Sequence, residues 1–304
     1  MTIPFSRRFT SAIILLFTFA ALPAVAAAGN TTPSPPSRGS AAKLFVEGNE
    51  LYAEAKRIAS EGRDNDAKAK FAEAEVVYEN LLATGFSNWQ VHYNLGNALY
   101  QQGALGKAIA SYRRAERLAP GREEIQFNLE KVKAEARDRE APSGPPGWVR
   151  TLLFPYYRLS LNEIMFVGLA VYAVFSLLLM LVVFVRRAWA KALCTIALAA
   201  TVTMGATLAA KIVYEQRTGR GVVISDVCAA RFGHGAEYEK RFEVHDGAEF
   251  VVLDRYKDVQ ARQEWLKVRL FIALRQAKPA TDAEAEAPQS RAEGWIEAKD
   301  VELL

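Results

Sequence analysis

The chain has 304 residues, of which 51% are hydrophobic, and a formal net charge of +4 at pH 7. This length allows two modest domains in addition to membrane segments. The charge gives no electrostatic reason to expect nucleic-acid binding, because Arg7 and Arg8 fall in a segment predicted to be removed. Two cysteines, Cys194 and Cys228, are too few for a disulfide framework.

Residues 1–28 have the pattern of a secretory signal peptide. Arg7 and Arg8 precede an apolar run from Ile13 to Leu22, and the small residues at 24–28 offer cleavage sites. An uncleaved membrane anchor is the alternative, and both interpretations export the segment that follows. Residues 29–40 are rich in proline and serine, which predicts a linker.

Residues 41–140 predict a helical domain, because apolar residues recur at steps of three and four positions. Within residues 89–122 of this domain, a leucine and several small, aromatic and proline residues stand at a fixed spacing, namely Leu95, Gly96, Ala108, Tyr112, Ala115 and Pro120. In this spacing the segment resembles a tetratricopeptide repeat, which is a pair of antiparallel helices. The preceding helix pair fits the repeat less well, since Gly48 and Ala74 are too far apart. This spacing predicts a lengthened first helix or an insertion.

The resemblance implies a concave surface that binds a peptide or a protein partner. The residues that it assigns to this surface are Gln90, Tyr93, Asn94, Asn97, Tyr100 and Gln101. Ordinary packing is the alternative role for Tyr93 and Tyr100. The two asparagines favour a binding role, because buried amides would need hydrogen-bond partners.

Two apolar runs, at 161–185 and 192–213, predict a membrane hairpin. Each run is long enough to cross a bilayer as a helix, and the loop at 186–191 carries three basic residues. Residues 141–160 predict a linker and an interfacial segment before the first run. A pair of buried helices in a soluble core is the alternative. Together with the signal peptide, the hairpin predicts a two-pass protein of a bacterial inner membrane with both soluble domains in the periplasm.

Beyond the hairpin the apolar period changes to two, which predicts short strands. Residues 214–304 resemble a bacterial Src-homology-3-like barrel, on the basis of Arg231-Phe232-Gly233, Asp246-Gly247 and Gly294-Trp295-Ile296. Residues 273–293 predict a mobile insert within this barrel. Trp265 and Trp295 are candidates for a ligand groove, with core packing as the alternative.

The sequence contains no recognisable catalytic constellation, so we expect no enzyme activity and no cofactor. The three histidines, His92, His234 and His245, have no cysteine or carboxylate at the spacing of metal ligands, and we expect no metal site. The predicted fold class is therefore a multidomain membrane protein with a helical tetratricopeptide-repeat unit, a two-helix transmembrane hairpin and a small all-β barrel.

This order of parts is similar to that of the BatE proteins of the Bacteroides aerotolerance group. The resemblance implies a non-catalytic scaffold that acts with membrane proteins carrying von Willebrand factor A domains. A cytoplasmic MoxR-type ATPase would act on it only indirectly, and the implied role is stress or oxygen tolerance of the envelope. Two alternatives stay open. One is a cell-wall module whose barrel binds peptidoglycan and whose repeats recruit a hydrolase, and the other is an enzyme whose site is completed by partners.

Overall fold

The computed structural model describes residues 38–138, 149, 153–185, 187–217, 219–258, 263–270 and 292–304. The predicted signal peptide lies outside the described residues, as do most of the two predicted linkers and the predicted insert as far as residue 291.

The described part before the two long apolar helices is itself helical. Its helices are α1 (Arg38–Ser60), α2 (Asp64–Ala83), α3 (Trp89–Gln102), α4 (Leu105–Leu118) and α5 (Glu123–Glu135). Helix α3 begins after Asn88, whose side chain accepts a hydrogen bond from the Val91 backbone amide at 2.8 Å. It ends at Gly103, which has φ of +87° and closes the helix in the left-handed conformation that glycine favours.

The helix pair α1–α2, whose spacing fits the repeat pattern poorly, packs in the same way as α3–α4. In each pair a glycine of the first helix lies against a tyrosine ring of the second. A Cβ atom added at Gly48 would lie 2.7 Å from the Tyr78 ring, and one added at Gly96 would lie 2.8 Å from the Tyr112 ring. Tyr78 follows Gly48 by 30 positions and Tyr112 follows Gly96 by 16, and the 14 extra residues lengthen both α1 and α2 by about two turns.

The asparagine after each glycine completes the repeated arrangement. The Tyr78 hydroxyl donates a hydrogen bond to Asn49 Oδ1 at 2.8 Å, and the Tyr112 hydroxyl donates one to Asn97 Oδ1 at 2.6 Å. Both tyrosines are fully buried, so each hydroxyl needs a partner. The first pair is therefore an elongated copy of the second.

Two of the later helices are long and apolar enough to cross a membrane. They are α7 (Leu161–Phe184) and α8 (Ala188–Arg217), and they follow the short helix α6 (Phe154–Arg158). They pack against each other and leave large apolar side chains exposed, with Phe166 at 73% and Leu177 at 69%. Helices buried in a soluble core would not expose such side chains, so the arrangement is compatible with a membrane protein.

The part after the membrane segments is a curled antiparallel sheet. Its described strands are β1 (Arg220–Val223), β2 (Val227–Arg231), β3 (Lys240–His245), β4 (Glu249–Asp258), β5 (Gln263–Leu270), β6 (Ala292–Glu297) and β7 (Val301–Leu303), in the order β3-β2-β6-β5-β4-β1-β7. Val244, Leu266, Val268 and Ile296 lie in its buried core. Strand β6 starts at Ala292, which pairs with Leu270, so residues 292 and 293 belong to the strand and not to the predicted insert.

The helical part and the sheet are docked on each other around one buried carboxylate. Glu249 of β4, only 8% exposed, accepts hydrogen bonds from Arg113 Nε at 2.6 Å and Arg113 Nη2 at 2.8 Å. Lys133 Nζ of α5 lies 2.6 Å from the same carboxylate. Burial alone would raise the pKa of the Glu249 carboxyl, but the hydrogen bonds and charges of Arg113 and Lys133 hold it well below its usual range.

Backbone groups fit closely at the same interface. The Gly106 amide at the start of α4 donates a hydrogen bond to Asp246 Oδ1 at 3.0 Å. A Cβ atom at Gly106 would lie 2.1 Å from the Val223 carbonyl oxygen, so only glycine fits there. Asp138 accepts a hydrogen bond from the His245 backbone amide at 2.6 Å. Because they touch, the helical part and the sheet lie on the same side of any membrane that α7 and α8 cross.

The glycine–tyrosine contact predicts that Gly96→Leu strongly destabilises the helical part. The new side chain would collide with the buried Tyr112 ring, and overpacking of this kind costs typically 1–3 kcal/mol. Thermal unfolding of the purified protein, followed by circular dichroism, measures the effect. Ala134→Leu, at an exposed position of α5, is the matched control. An unchanged midpoint for Gly96→Leu would contradict the described packing.

The docking interface predicts that Glu249→Gln destabilises the protein by on the order of 3 kcal/mol, because Arg113 and Lys133 would keep their charges without a counter-charge. The contribution of Glu249 to the free energy of unfolding depends on pH and decreases in acid. Its folded-state pKa is depressed, so its stabilisation is complete above the ordinary glutamate value of about 4.5 and is lost as the pH falls below it.

Urea unfolding at pH 7 and at about pH 3.5 measures both effects. The difference in unfolding free energy between wild type and Glu249→Gln should be large at pH 7 and smaller at the acidic pH. Glu243→Gln is the control, since Glu243 pairs with Lys240 on the exposed edge of the sheet. If the two variants behave alike, the cluster does not hold the two parts together.

Candidate partner-binding groove

An open groove of about 350 Å³ lies between α1, α3 and α5. The residues that line it are Tyr52, Lys56, Tyr93, Asn97, Tyr100, Gln101, Tyr112, Asn128, Lys131 and Val132. Helix α3 forms its floor, because positions 93, 97, 100 and 101 recur at steps of three and four on one helical face. We refer to this set as the groove.

Four of the six residues predicted for the concave surface line the groove, namely Tyr93, Asn97, Tyr100 and Gln101. Gln90, half-buried in the first turn of α3, and Asn94 are not among the lining residues. Asn94 Nδ2 instead donates a hydrogen bond to Asn49 Oδ1 at 2.8 Å, which ties α3 to α1.

Asn97 has a structural role in addition to its place in the groove. Its Oδ1 accepts hydrogen bonds from the Tyr112 hydroxyl at 2.6 Å and from Asn128 Nδ2 at 2.9 Å. Asn128 Nδ2 also lies 2.9 Å from the Tyr93 hydroxyl oxygen. Asn97 Oδ1 is thus satisfied inside the molecule, as is Asn94 Nδ2 through its bond to Asn49. Within the described residues, Asn97 Nδ2 forms no hydrogen bond.

The tyrosines of the groove differ in their surroundings. Tyr112 is buried beneath Tyr93, with ring centroids 5.8 Å apart, and burial strongly raises the pKa of its hydroxyl. Burial, together with the proximity of Tyr93, also raises the pKa of Tyr52. Tyr100 lies at the rim and donates a hydrogen bond to Glu135 Oε1 at 2.6 Å, which raises its pKa. All these hydroxyls therefore stay protonated at neutral pH and can donate or accept hydrogen bonds.

The repeat signature residues lie in the interior of the helical part. Leu95, Gly96, Ala108, Tyr112, Ala115 and Pro120 are all buried. His92, beside them on α3, has a pKa lowered to about 4 by burial and by the charges of Arg114 and Arg117. Its Nε2 lies 2.9 Å from Ser87 Oγ, and its Nδ1 has no hydrogen-bond partner within the described residues. The imidazole is therefore neutral and serves as a core residue.

Sequence reasoning missed the walls of the groove, which are Tyr52 and Lys56 on α1 and Asn128 and Lys131 on α5. One signal could have found Tyr52. It follows Gly48 by four positions, just as Tyr100 follows Gly96, so superposing the two glycines places both tyrosines on equivalent helix turns. Helix α5 carries no comparable signal.

The two tryptophans proposed for the barrel do not form a groove together. Trp265 is 3% exposed and belongs to the buried interior, whereas Trp295 is half-buried. The Trp295 ring meets the edge of His234 at 5.3 Å, and His234 stacks on Tyr256 at 3.7 Å. We call these residues the sheet aromatic cluster, together with the exposed rings of Tyr238, 5.9 Å from His234, and of Phe232, two positions before His234 in the sequence.

A family model described as the tetratricopeptide repeat matches residues 60–123, from the last residue of α1 to the first of α5. The chain thus contains tetratricopeptide repeats, which imply protein partners in general. No curated protein matches the sequence. In the described part of the chain, no group of three or more histidine, cysteine, aspartate or glutamate side chains could hold a metal ion.

Proposed function

We propose that this repeat-containing chain is a non-catalytic membrane scaffold that binds an extended segment of a protein partner in its groove. The observation that carries the proposal is that the sheet covers one side of the helical part and leaves the groove on another side open. The sheet docks on α4 and on the outer side of α5, through Arg113 and Lys133, while the groove between α1, α3 and α5 stays open.

The chemistry of the groove suits an extended polypeptide. Tyrosine rings offer broad contact surfaces with a polar tip, and the amides of Asn97 and Gln101 can hydrogen-bond a peptide backbone. Among the described lining residues there is no histidine, cysteine, aspartate or glutamate, and the groups there that could transfer a proton are tyrosines and lysines. The raised pKa values of Tyr52, Tyr100 and Tyr112 keep their hydroxyls protonated. This composition favours binding over catalysis.

The finer proposal is that the partners are membrane proteins with von Willebrand factor A domains, in a complex of the Bat type that serves stress or oxygen tolerance. It rests on the resemblance of the order of parts. A MoxR-type ATPase would reach this complex through those partners, because the predicted loop at 186–191 has only six residues. So short a segment cannot supply the roughly 800 Å² of surface per partner that a stable interface buries.

The proposed orientation places both soluble parts in the periplasm and the loop in the cytoplasm. The predicted signal peptide supports it, and so does the contact between the helical part and the sheet, which requires a common side. Alkaline phosphatase fused after Leu304 should be active, and the same enzyme inserted at Ala188 should be inactive. The reverse pattern would contradict the orientation.

Groove binding predicts that the double variant Tyr100→Ala and Gln101→Ala loses co-purifying membrane partners in mild detergent while it remains folded. These positions lie at the rim, whereas Asn94 and Asn97 support the fold and would make an ambiguous test. The matched control is Phe232→Ser with Tyr256→Ser, which changes the exposed sheet aromatic cluster. If the groove variant retains every partner, the groove is not the binding surface.

The sheet aromatic cluster favours a second candidate function, the cell-wall module. Exposed aromatic rings such as Phe232, Tyr238 and Tyr256 are suited to pack against sugar rings of peptidoglycan. The same two variants separate the candidates when full-length protein is mixed with purified sacculi. Loss of sedimentation with the sheet variant, together with unchanged partners for the groove variant, would favour the cell-wall module.

A further inference from the structure

We propose that the groove selects acidic segments, with carboxylate side chains of the partner held between Lys56 and Lys131. This inference rests on the proposed function of the groove and names the chemistry of its ligand. The two lysines stand on opposite walls, Lys56 on α1 and Lys131 on α5, with the α3 row of Tyr93, Asn97 and Tyr100 between them.

Several other lysines and arginines of the described helical part are paired with carboxylates within the molecule, and these two are not. Lys70 pairs with Glu73 at 2.6 Å, Arg57 pairs with Glu61, and Lys133 pairs with the buried Glu249. Within the described residues, neither Lys56 nor Lys131 forms an ion pair with a carboxylate. Both are exposed, so a ligand can reach them.

Lys131 is also held in position. Its Nζ lies 4.8 Å from the centroid of the Tyr100 ring, and the Tyr100 hydroxyl is fixed by its hydrogen bond to Glu135. The cation–π contact restrains the ammonium group without neutralising its charge. The carboxylate of Glu135 accepts the hydrogen bond of Tyr100 and, within the described residues, forms no ion pair with Lys131.

The separation of the two charges decides between two forms of acidic ligand. A terminal carboxylate is one group and needs one cationic position, whereas the groove presents two positions on different helices, Lys56 on α1 and Lys131 on α5. An extended segment that crosses the α3 row places side chains toward both walls, and its backbone lies over the lining residues Asn97 and Gln101. We therefore assign the lysines to two internal aspartate or glutamate side chains.

Fluorescence polarisation with the full-length protein in detergent tests this assignment. The probe is a short labelled peptide of alternating Glu and Ala, acetylated and amidated at its ends. A peptide with Gln for each Glu removes the charges, and the same Gln peptide with a free carboxyl end retains only a terminal carboxylate. We expect the Glu peptide to bind most tightly, and its affinity to fall as salt is raised.

Lys56→Gln and Lys131→Gln should each weaken binding of the Glu peptide by about fivefold, as expected for an exposed ion pair, and Lys131→Arg should restore it. Lys43→Gln, at an exposed position of α1 outside the groove, is the control and should have no effect. Equal binding of the Glu and Gln peptides, preference for the peptide with a free carboxyl end, no binding of any peptide, or insensitivity to both groove lysines would each overturn the proposal.

The partner co-purification described above separates this failure from failure of the groove itself. If the Tyr100→Ala, Gln101→Ala variant loses its membrane partners and the Lys56→Gln, Lys131→Gln variant keeps them, the groove binds partners without selecting acidic segments. If both variants keep them, the proposed function of the groove fails as well.

Discussion

The docking of the helical part on the sheet depends on the carboxylate of Glu249 and its two cations. Arg113 and Lys133 come from α4 and α5, whereas Glu249 comes from β4, on the far side of the membrane hairpin in the sequence. Both carboxylate oxygens are satisfied, and the group is almost completely removed from water. A buried carboxylate is costly unless its partners are in place, so this cluster favours one arrangement of the two parts over its alternatives.

Helix α5 connects that cluster with the groove. Asn128 and Lys131 face the groove, while Lys133, two residues after Lys131, reaches Glu249 of the sheet. Beyond the end of the helix, Asp138 binds the backbone amide of His245. The sheet packs mainly on α4, through β1 and β7, and it reaches α5 through the ion pair of Lys133 with Glu249. The sheet therefore contacts the helix that carries one groove wall without lining the groove itself.

The sequence predicted those parts of the fold that depend on neighbouring residues. The period of the apolar positions located the helices, the membrane runs and the strands, and the glycine–tyrosine spacing identified α3–α4 as a repeat. This spacing did not identify the α1–α2 pair as a repeat, because about two extra turns in each helix separate Gly48 from Tyr78 in the sequence. The contact between the two residues is nevertheless the same. The pattern measures distance along the chain, whereas packing depends on distance in space.

Residues of the groove could be predicted together only where they share one helix. The floor of the groove comes from one helix, so periodicity predicted Tyr93, Asn97, Tyr100 and Gln101 together. Its walls come from helices many residues away, and nothing local distinguishes Lys56 or Lys131 from other exposed lysines. The two asparagines were predicted to bind a ligand because a buried amide needs hydrogen-bond partners. The premise holds, but the molecule itself supplies such partners. The partners turned out to be Asn49, Tyr112 and Asn128, contacts over 15 to 45 positions that periodicity does not reveal.

The repeats lie next to the two apolar helices. A Cβ atom at Gly121, in the turn between α4 and α5, would lie 3.2 Å from the carbonyl oxygen of Arg158, just before α7. Arg122 in the same turn lies over the ring of Trp89, 4.6 Å from its centroid, at the start of α3. The end of the repeat unit thus rests beside the start of the first apolar helix, and the docked sheet fixes its orientation. Under the proposed membrane crossing by α7 and α8, a partner segment tethered to the same membrane would meet the groove at a high effective concentration, and modest contacts would suffice for binding. A soluble partner would lack this advantage.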